Sequence, residues 1–433
     1  MRNLDNNQMG FLLIFVMSCC MPYEIYAGYS WKDSVEMGLK HNAEIREAQQ
    51  SIKEFMGQEM AAKSIFYPNG NLQALMFPPT NLNVSLNQGI FEPGAVPQVE
   101  RAQAAVKAAE ANVQLEILEF VIRSRVAFLE ILFRERQIEL QREFANKIKV
   151  QLNILPSLFE GGLVQKSDIK TMEVRYSLAL TSVEEATWAW KQAIVDFADI
   201  IGSPKAKALL EKGVAGVLEP RFISLPSLEQ LEQIAYENRH DLKVLDALLK
   251  TESKAAIVAA AGYYPTWSAY GSVDFNTELQ NELEALNSFR NVDDDDSQKT
   301  SARIGTRLSW RLFDGFETTG RKKAANAIML GVEELHKSIK RNISGEVAQA
   351  VRQYQDARKI YELLQTGIVE ENSEQVKQAF LRNRITQVEV FISEEESFQA
   401  KRNELLALYN MELARVNLYA ATGQLVKVIE NKD

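Results

Sequence analysis

The residues of this chain best suited to chemistry are three histidines, two cysteines and a run of four aspartates. His41, His240 and His336 have no cysteine partner and no spacing that gathers ligands around a metal, so each reads as a surface or helix-packing residue. Cys19 and Cys20 are adjacent and close to the N-terminus; with no other cysteine in 433 residues, neither a disulfide framework nor a thiolate metal site can be built. Asp293 to Asp296 lie in a polar, acidic stretch, 277–300, but a calcium loop needs alternating acids, a central Gly and a terminal Glu; the run reads as a solvated external loop. No phosphate loop, nucleophile elbow or zinc motif is present. The remaining carboxylates fall on solvated helix faces. The expectation is a protein that is not an enzyme and uses no cofactor or metal.

Bulk properties narrow the class further. A formal net charge of −9 without a basic cluster argues against nucleic-acid binding. The N-terminus reads as a secretory signal, residues 1–27: Arg2, then the apolar run Phe11 to Met17, then Ile25-Tyr26-Ala27 before a mature start near Gly28. Val16-Met17-Ser18-Cys19 offers a competing lipoprotein box with Cys19 as the acylated residue. No other stretch is long and apolar enough for a spanning helix, so any entry into a membrane must be as β-structure.

The elements that would position such a chain come twice. Ala61 to Pro68 and Val258 to Pro265 each end an Ala-rich helical stretch on Tyr-Pro and enter alternating polar and apolar residues. Each alternating stretch exits through Phe, an acid and Gly: Phe91-Glu92-Pro93-Gly94 and Phe313-Asp314-Gly315. At roughly 200 residues the repeat is too long for a solenoid unit and reads as a duplicated half, 28–220 and 221–433. Each half is expected to run helix, β-hairpin (about 69–91 and 266–313), long helix, return helix. Residues 98–155 contain neither Gly nor Pro and would span roughly 87 Å as one helix, with breaks expected at Leu155-Pro156 and Gly161-Gly162. A second long segment is expected from about Arg321 to Arg382, with Gly331, Gly345 and Gly367 as weak points, and residues 227–261 as one helix. Helices of such length survive only by packing side by side.

The alternating stretches have a period of two. Trp267, Ala269, Gly271, Val273 and Phe275 alternate with polar residues; Ala302, Ile304, Thr306, Leu308, Trp310 and Leu312 alternate with Arg303, Arg307, Ser309 and Arg311; Leu82, Val84 and Leu86 alternate with Asn83, Ser85 and Asn87. Such strands, with Tyr67, Phe91, Tyr264, Trp267, Trp310 and Phe313 near their ends, match membrane barrel strands, and equally match soluble hairpins that cover a helix. Four strands cannot close a barrel, so the barrel reading requires an oligomer.

At this point the sequence resembles the TolC-type outer membrane efflux proteins, over about 28–425. The likeness rests on the duplicated order, the two Tyr-Pro entrances, the exit Leu312-Phe313-Asp314-Gly315, the tip turns Phe159 to Ile169 and Phe380 to Val390, and the C-terminal Leu418 to Leu425. The resemblance implies a mainly α fold with a small transmembrane β part: long antiparallel coiled-coil helices forming an α-barrel, and two hairpins per subunit completing a twelve-stranded barrel in a homotrimer. It implies an outer membrane exit duct embedded in outer membrane lipid and projecting into the periplasm, with a periplasmic adaptor and an inner-membrane pump as partners. It also implies that the tip turns, with Gly161, Gly162, Leu163, Asn383 and Arg384, contact the adaptor, and that Asp168 and Glu389 ring the closed end. Asp168 can equally be a helix N-cap following Ser167. Arg382-Asn383-Arg384 stands where relatives often have Gly. A soluble periplasmic coiled-coil scaffold is the competing reading.

Overall fold

The computed structural model describes residues 29–75, 80–162, 164–203, 214–277, 299–365, 375–376, 379 and 387–424. Cys19, Leu163, Asn383, Arg384, the aspartate run and the proposed signal lie outside the described residues. In chain order the elements are β1 Tyr29–Ser30, α1 Trp31–His41, α2 Ala43–Lys63, β2 Asn69–Leu75, β3 Thr80–Phe91, α3 Ala95–Glu160, α4 Lys166–Ile201, β4 Val214–Ala215, α5 Leu228–Asn238, α6 His240–Ala260, β5 Thr266–Thr277, β6 Lys299–Ser309, α7 Glu317–Leu364 and α8 Gln387–Ala421.

Each short first helix starts on a serine cap. The Ser30 Oγ accepts from the Asp33 backbone N–H and the Ser227 Oγ from that of Gln230, and in both a side chain three residues on returns a bond to the cap backbone. Both helices then kink where one continuous helix was expected. Asn42 (φ −59°, ψ 130°) separates α1 from α2, and Arg239 (φ −62°, ψ 125°) separates α5 from α6.

The helices form a wall four lanes wide. In the first lane α4 ends against the start of α2: Asn42 Nδ2 donates to the Ile200 carbonyl at 3.1 Å. The second lane is α3 alone, 66 residues long and therefore about 99 Å from end to end. In the third lane α8 ends against the start of α6, and the fourth is α7. The lanes pack in that order, α3 touching α2, α4, α6 and α8, and α7 touching α6 and α8. Two features of α3 depart from the sequence reading. Pro156 sits inside the helix and does not break it; the helix continues to Glu160. An interior Pro costs about 3 kcal/mol, but Leu155 is buried beside it and Leu152 and Leu158 pack into the same cluster, which holds the turn together. Likewise α7 runs unbroken through Gly331 and Gly345, with Ile343 and Val347 fully buried beside the second of these.

The largest core lies at mid-height, where Trp31, Phe120, Phe128, Phe197 and Ile201 meet. The Trp31 indole donates to Ser124 Oγ at 3.3 Å and carries the Arg125 guanidinium 4.9 Å above its ring. Here α1 packs on α3 and α4, α5 packs on α7, and β1 pairs in parallel with β4.

At one end of the wall stands a four-stranded antiparallel sheet in the order β2-β3-β5-β6. β6 stops at Ser309 rather than near Phe313. Trp310 turns back so that its Nε1 donates to the Tyr263 carbonyl at 3.2 Å, and the Asp314 carboxylate accepts from the Thr318 N–H at the start of α7. Among the described residues no helix is long and apolar enough to cross a membrane.

Candidate functional site

Two regions carry the features that a transport duct would need: the sheet and the opposite tip of the wall. In the sheet, register decides what each face offers. Leu72, Val84, Val273 and Ala302 lie in one row across the four strands, and Gly70, Leu86, Gly271 and Ile304 in another. Side chains alternate between faces along a strand, so one face is mainly apolar, with Gln88, Thr300 and Thr306 as polar members of its rows. It is also bare: Ile304 is 94% exposed and Leu308 71%. The other face presents Asn71, Gln73, Asn83, Ser85, Asn87, Tyr270, Ser272, Asp274, Arg303 and Arg307. A bulge between Gly89 and Phe91 shifts the period by one, so that Phe91 lands opposite Trp267 and Leu308 on the apolar face. The result is an aromatic rim where the sheet meets the helices. An apolar, uncovered face several strands wide with an aromatic border is the pattern that membrane barrel strands turn to lipid. The alternation was legible in the sequence but the bulge was not; its trace there is Gly89 beside two consecutive apolar residues.

Among the described residues, the outer edges of β2 and β6 have no partner strand and the outer flanks of the first and fourth lanes have no partner helix. β2 follows the first lane and β6 precedes the fourth, so sheet and wall are open on the same two sides.

The tip is built by the end of α3 and the start of α4. Gly161 and Gly162 (φ +71°) turn the chain. Asp168 is not the N-cap: that place belongs to Gln165, and Asp168 stands three residues on, its carboxylate accepting from the Gln165 N–H at 2.8 Å. Gln165 and Asp168 form the capping pair, so the cap lies three residues before the Asp168 at which the sequence reading placed it. Glu389 occupies the matching first turn of α8 and is exposed. Carboxylates in a first turn are favoured by the helix dipole. Phe391, two residues past Glu389, enters a core with Met172, Ala145, Ile148 and Leu155, and the Arg175 guanidinium lies 3.7 Å from its ring centre. Since Met172 is one turn past Asp168, the structure brings both acids to the same end of the wall.

Several polar residues near the tip and at mid-height escaped the sequence reading. Gln151 donates to Glu394 in the buried seam between α3 and α8. Burial works against the Glu143 carboxylate, but Lys147 and Lys401 outweigh it and hold it below the usual range. Burial raises the Tyr409 hydroxyl, and the Glu130 carboxylate to which it donates raises it further. At mid-height Glu412 and Arg415 are each 2% exposed and bond to one another at 3.0 Å; Glu412 also accepts from the Arg221 N–H, while the Tyr354 hydroxyl accepts from the Ile223 N–H. These bonds pin the segment after β4 onto α7 and α8. All these residues are ordinary polar helix residues in sequence, and no spacing marks their burial. Of the histidines, His336 contacts Asp246 at 3.0 Å, and His240 is lowered by burial and by Lys243. Among the described residues no cluster of His, Cys, Asp or Glu could hold a metal.

Residues 231–424 match the family model of outer membrane efflux proteins. Comparison with curated protein sequences gave no match. Solved structures share the fold over nearly the whole chain. A membrane protein from Pseudomonas aeruginosa superimposes with a TM-score of 0.75 at 16% identity, covering 91% of this chain and 90% of its own. The Neisseria gonorrhoeae outer membrane channel MtrE, in its open state, gives 0.74 at 17%, with 94% of each chain covered. The Vibrio cholerae outer membrane protein VceC gives 0.74 at 15%, covering 91% and 96%. The TolC-type resemblance read from the sequence is met by the family model over the second half and by the fold throughout.

Proposed function

We propose, from a second half that matches the outer membrane efflux proteins and a whole chain with the fold of outer membrane channels, that this protein is the exit duct of a tripartite efflux or type I secretion system. It sits in the outer membrane with its helical wall in the periplasm. The observation that carries the reading is the apolar, uncovered face of the sheet, coupled to edges left open on the same two sides of sheet and wall. A third of a cylinder is closed most simply by two further copies, giving twelve strands around a bore and twelve helical lanes below it. The lengths agree with this use: β3, β5 and β6 have 12, 12 and 11 residues, enough for tilted membrane strands. The duct is passive, and an inner-membrane pump, joined through a periplasmic adaptor, supplies the energy. Small molecules, ions and polypeptides are the classes of cargo. In this reading residues 1–27 are removed, 28–220 and 221–433 are two halves of one plan, and Cys19 is the lipidation position if processing occurs there instead.

The tip is the gate. Asp168 and Glu389, three times each, would line a narrow opening with carboxylates that favour cations, and the turns at 161–163 and 383–384 would meet the adaptor. The Asp168→Ala, Glu389→Ala pair is expected to raise single-channel conductance or lower cation preference in planar bilayers; no change in either would remove the gate assignment. Trimer assembly is tested separately, by gel migration of outer membrane extracts before and after boiling. A species confined to the soluble periplasm would favour a coiled-coil scaffold.

A further inference from the structure

The polar face of the sheet has a charge pattern of its own. Among the described side chains of its four strands, that face carries one carboxylate, Asp274, and two guanidiniums, Arg303 and Arg307, both exposed. Asp274 is already engaged: it accepts from Asn83 Nδ2 on β3, and Arg303 stands 3.9 Å away. In its row Arg307 stands beside Ser268, and the Glu92 carboxylate lies over Gly89, one strand further on. The Arg307 guanidinium lies 5.2 Å from the ring centre of Tyr270. Tyr270 in turn lies across the strand onto Gly305, its register partner, where a Cβ would meet the ring at 3.0 to 3.3 Å. Gly305 is what lets the ring lie flat and present its face to Arg307.

We infer that Arg303 and Arg307 form an anion-favouring band inside the bore, a second filter opposite in sign to the tip. The inference rests on the trimeric duct reading. β6 is an edge strand, and in a closed ring its new neighbour is β2 of the next copy. β2 reads Asn-Gly-Asn-Leu-Gln-Ala-Leu, so it brings no acid across that seam to neutralise the arginines. Twelve tilted strands give a backbone ring roughly 24 Å across. Arginines reaching in from the wall leave a water path about as wide as the screening distance, about 8 Å at physiological salt. Their field is therefore felt across the bore. The two arginines are four residues apart, about 13 Å along the strand, so in tilted strands the band extends roughly 10 Å along the axis. Anionic solutes, carboxylates and phosphates above all, are the class that it would favour.

The test uses the assembled protein in planar bilayers under a KCl gradient, in the Asp168→Ala, Glu389→Ala background so that tip carboxylates do not contribute. Adding R303Q and R307Q is expected to lower the chloride-to-potassium permeability ratio about threefold near 0.1 M salt, with the difference collapsing near 1 M. D274N is expected to raise the ratio. Should the doubled variant assemble poorly, R303Q and R307Q singly are expected to give about half the shift each. An unchanged ratio in conducting channels at low salt overturns the band and leaves the duct intact. A change that persists undiminished at 1 M also overturns it, since bore width rather than charge would then be responsible. Assembled protein that passes no current in any variant overturns the duct reading, and the band with it.

Discussion

The first and third lanes of the wall solve one problem with different chemistry. In each, a return helix ends on a left-handed glycine that abuts the kink of a descending helix. Gly202 (φ +68°) meets Asn42, and Gly423 (φ +67°) meets Arg239. The kinks have nearly the same backbone angles, yet Asn42 caps Ile45 and reaches the Ile200 carbonyl, whereas Arg239 makes a fork to Asp241 and binds Glu346 on α7. Eight residues before each glycine the contrast is sharper. The first lane has Ile194, 1% exposed, and the third has Arg415, 2% exposed and paired with Glu412. Where backbone meets backbone the two lanes are alike; where side chains decide, they have diverged. The cause in the third lane is visible: Arg221 brings a backbone N–H that needs an acceptor, and Glu412 supplies it.

This contrast can be broken at its strongest point first. Arg415→Ile imports the first lane's residue and leaves Glu412 buried without its cation, a loss of roughly 3 to 5 kcal/mol. It should appear as a large fall in the thermal midpoint of the detergent-solubilised protein, partly recovered by adding Glu412→Gln, which still accepts from Arg221. Full stability of the single variant would mean that the pair contributes nothing to the third lane. Next come the glycines. Gly423→Ala places a Cβ 2.9 Å from the backbone of residues 238 and 239, and Gly202→Ala places one 3.3 Å from that of His41. Both pay for the left-handed conformation, so the expected losses are about 3 and about 2 kcal/mol. Equal midpoints would show that the closer approach relaxes without cost. The smallest effect is at the first kink. Asn42→Ala removes one cap and one bond to Ile200, about 1 to 2 kcal/mol, readable as faster proteolysis at the α1–α2 junction.

How much of this was legible in the sequence follows from the same division. Alternation, Tyr-Pro, paired glycines and the absence of helix breakers are local signals, and they located the strands, the long helices and the first tip turn. The kinks at Asn42 and Arg239 escaped because neither Gly nor Pro marks them; a glycine more than 150 residues away makes room for each. Pro156 misled for the converse reason, since a strong local signal was overruled by packing around Leu155. At the tip, Asp168 and Glu389 were found by resemblance alone, and the structure adds only that they share one end. The buried pair Glu412–Arg415 was invisible, because a helix rich in Glu and Arg gives no sign of which residues turn inward.

One consequence of the unbroken second lane concerns insertions and deletions. Losing a residue inside α2, α4, α6 or α8 can be absorbed at a junction between two stacked helices. The same loss in the middle of α3 turns everything beyond it by about 100° and shortens it by about 1.5 Å, against four helical neighbours at once. Changes in the reach of this protein are therefore tolerated only in steps close to whole pairs of turns, made in all four lanes together, so that its length is inherited as a fixed measure rather than drifting residue by residue.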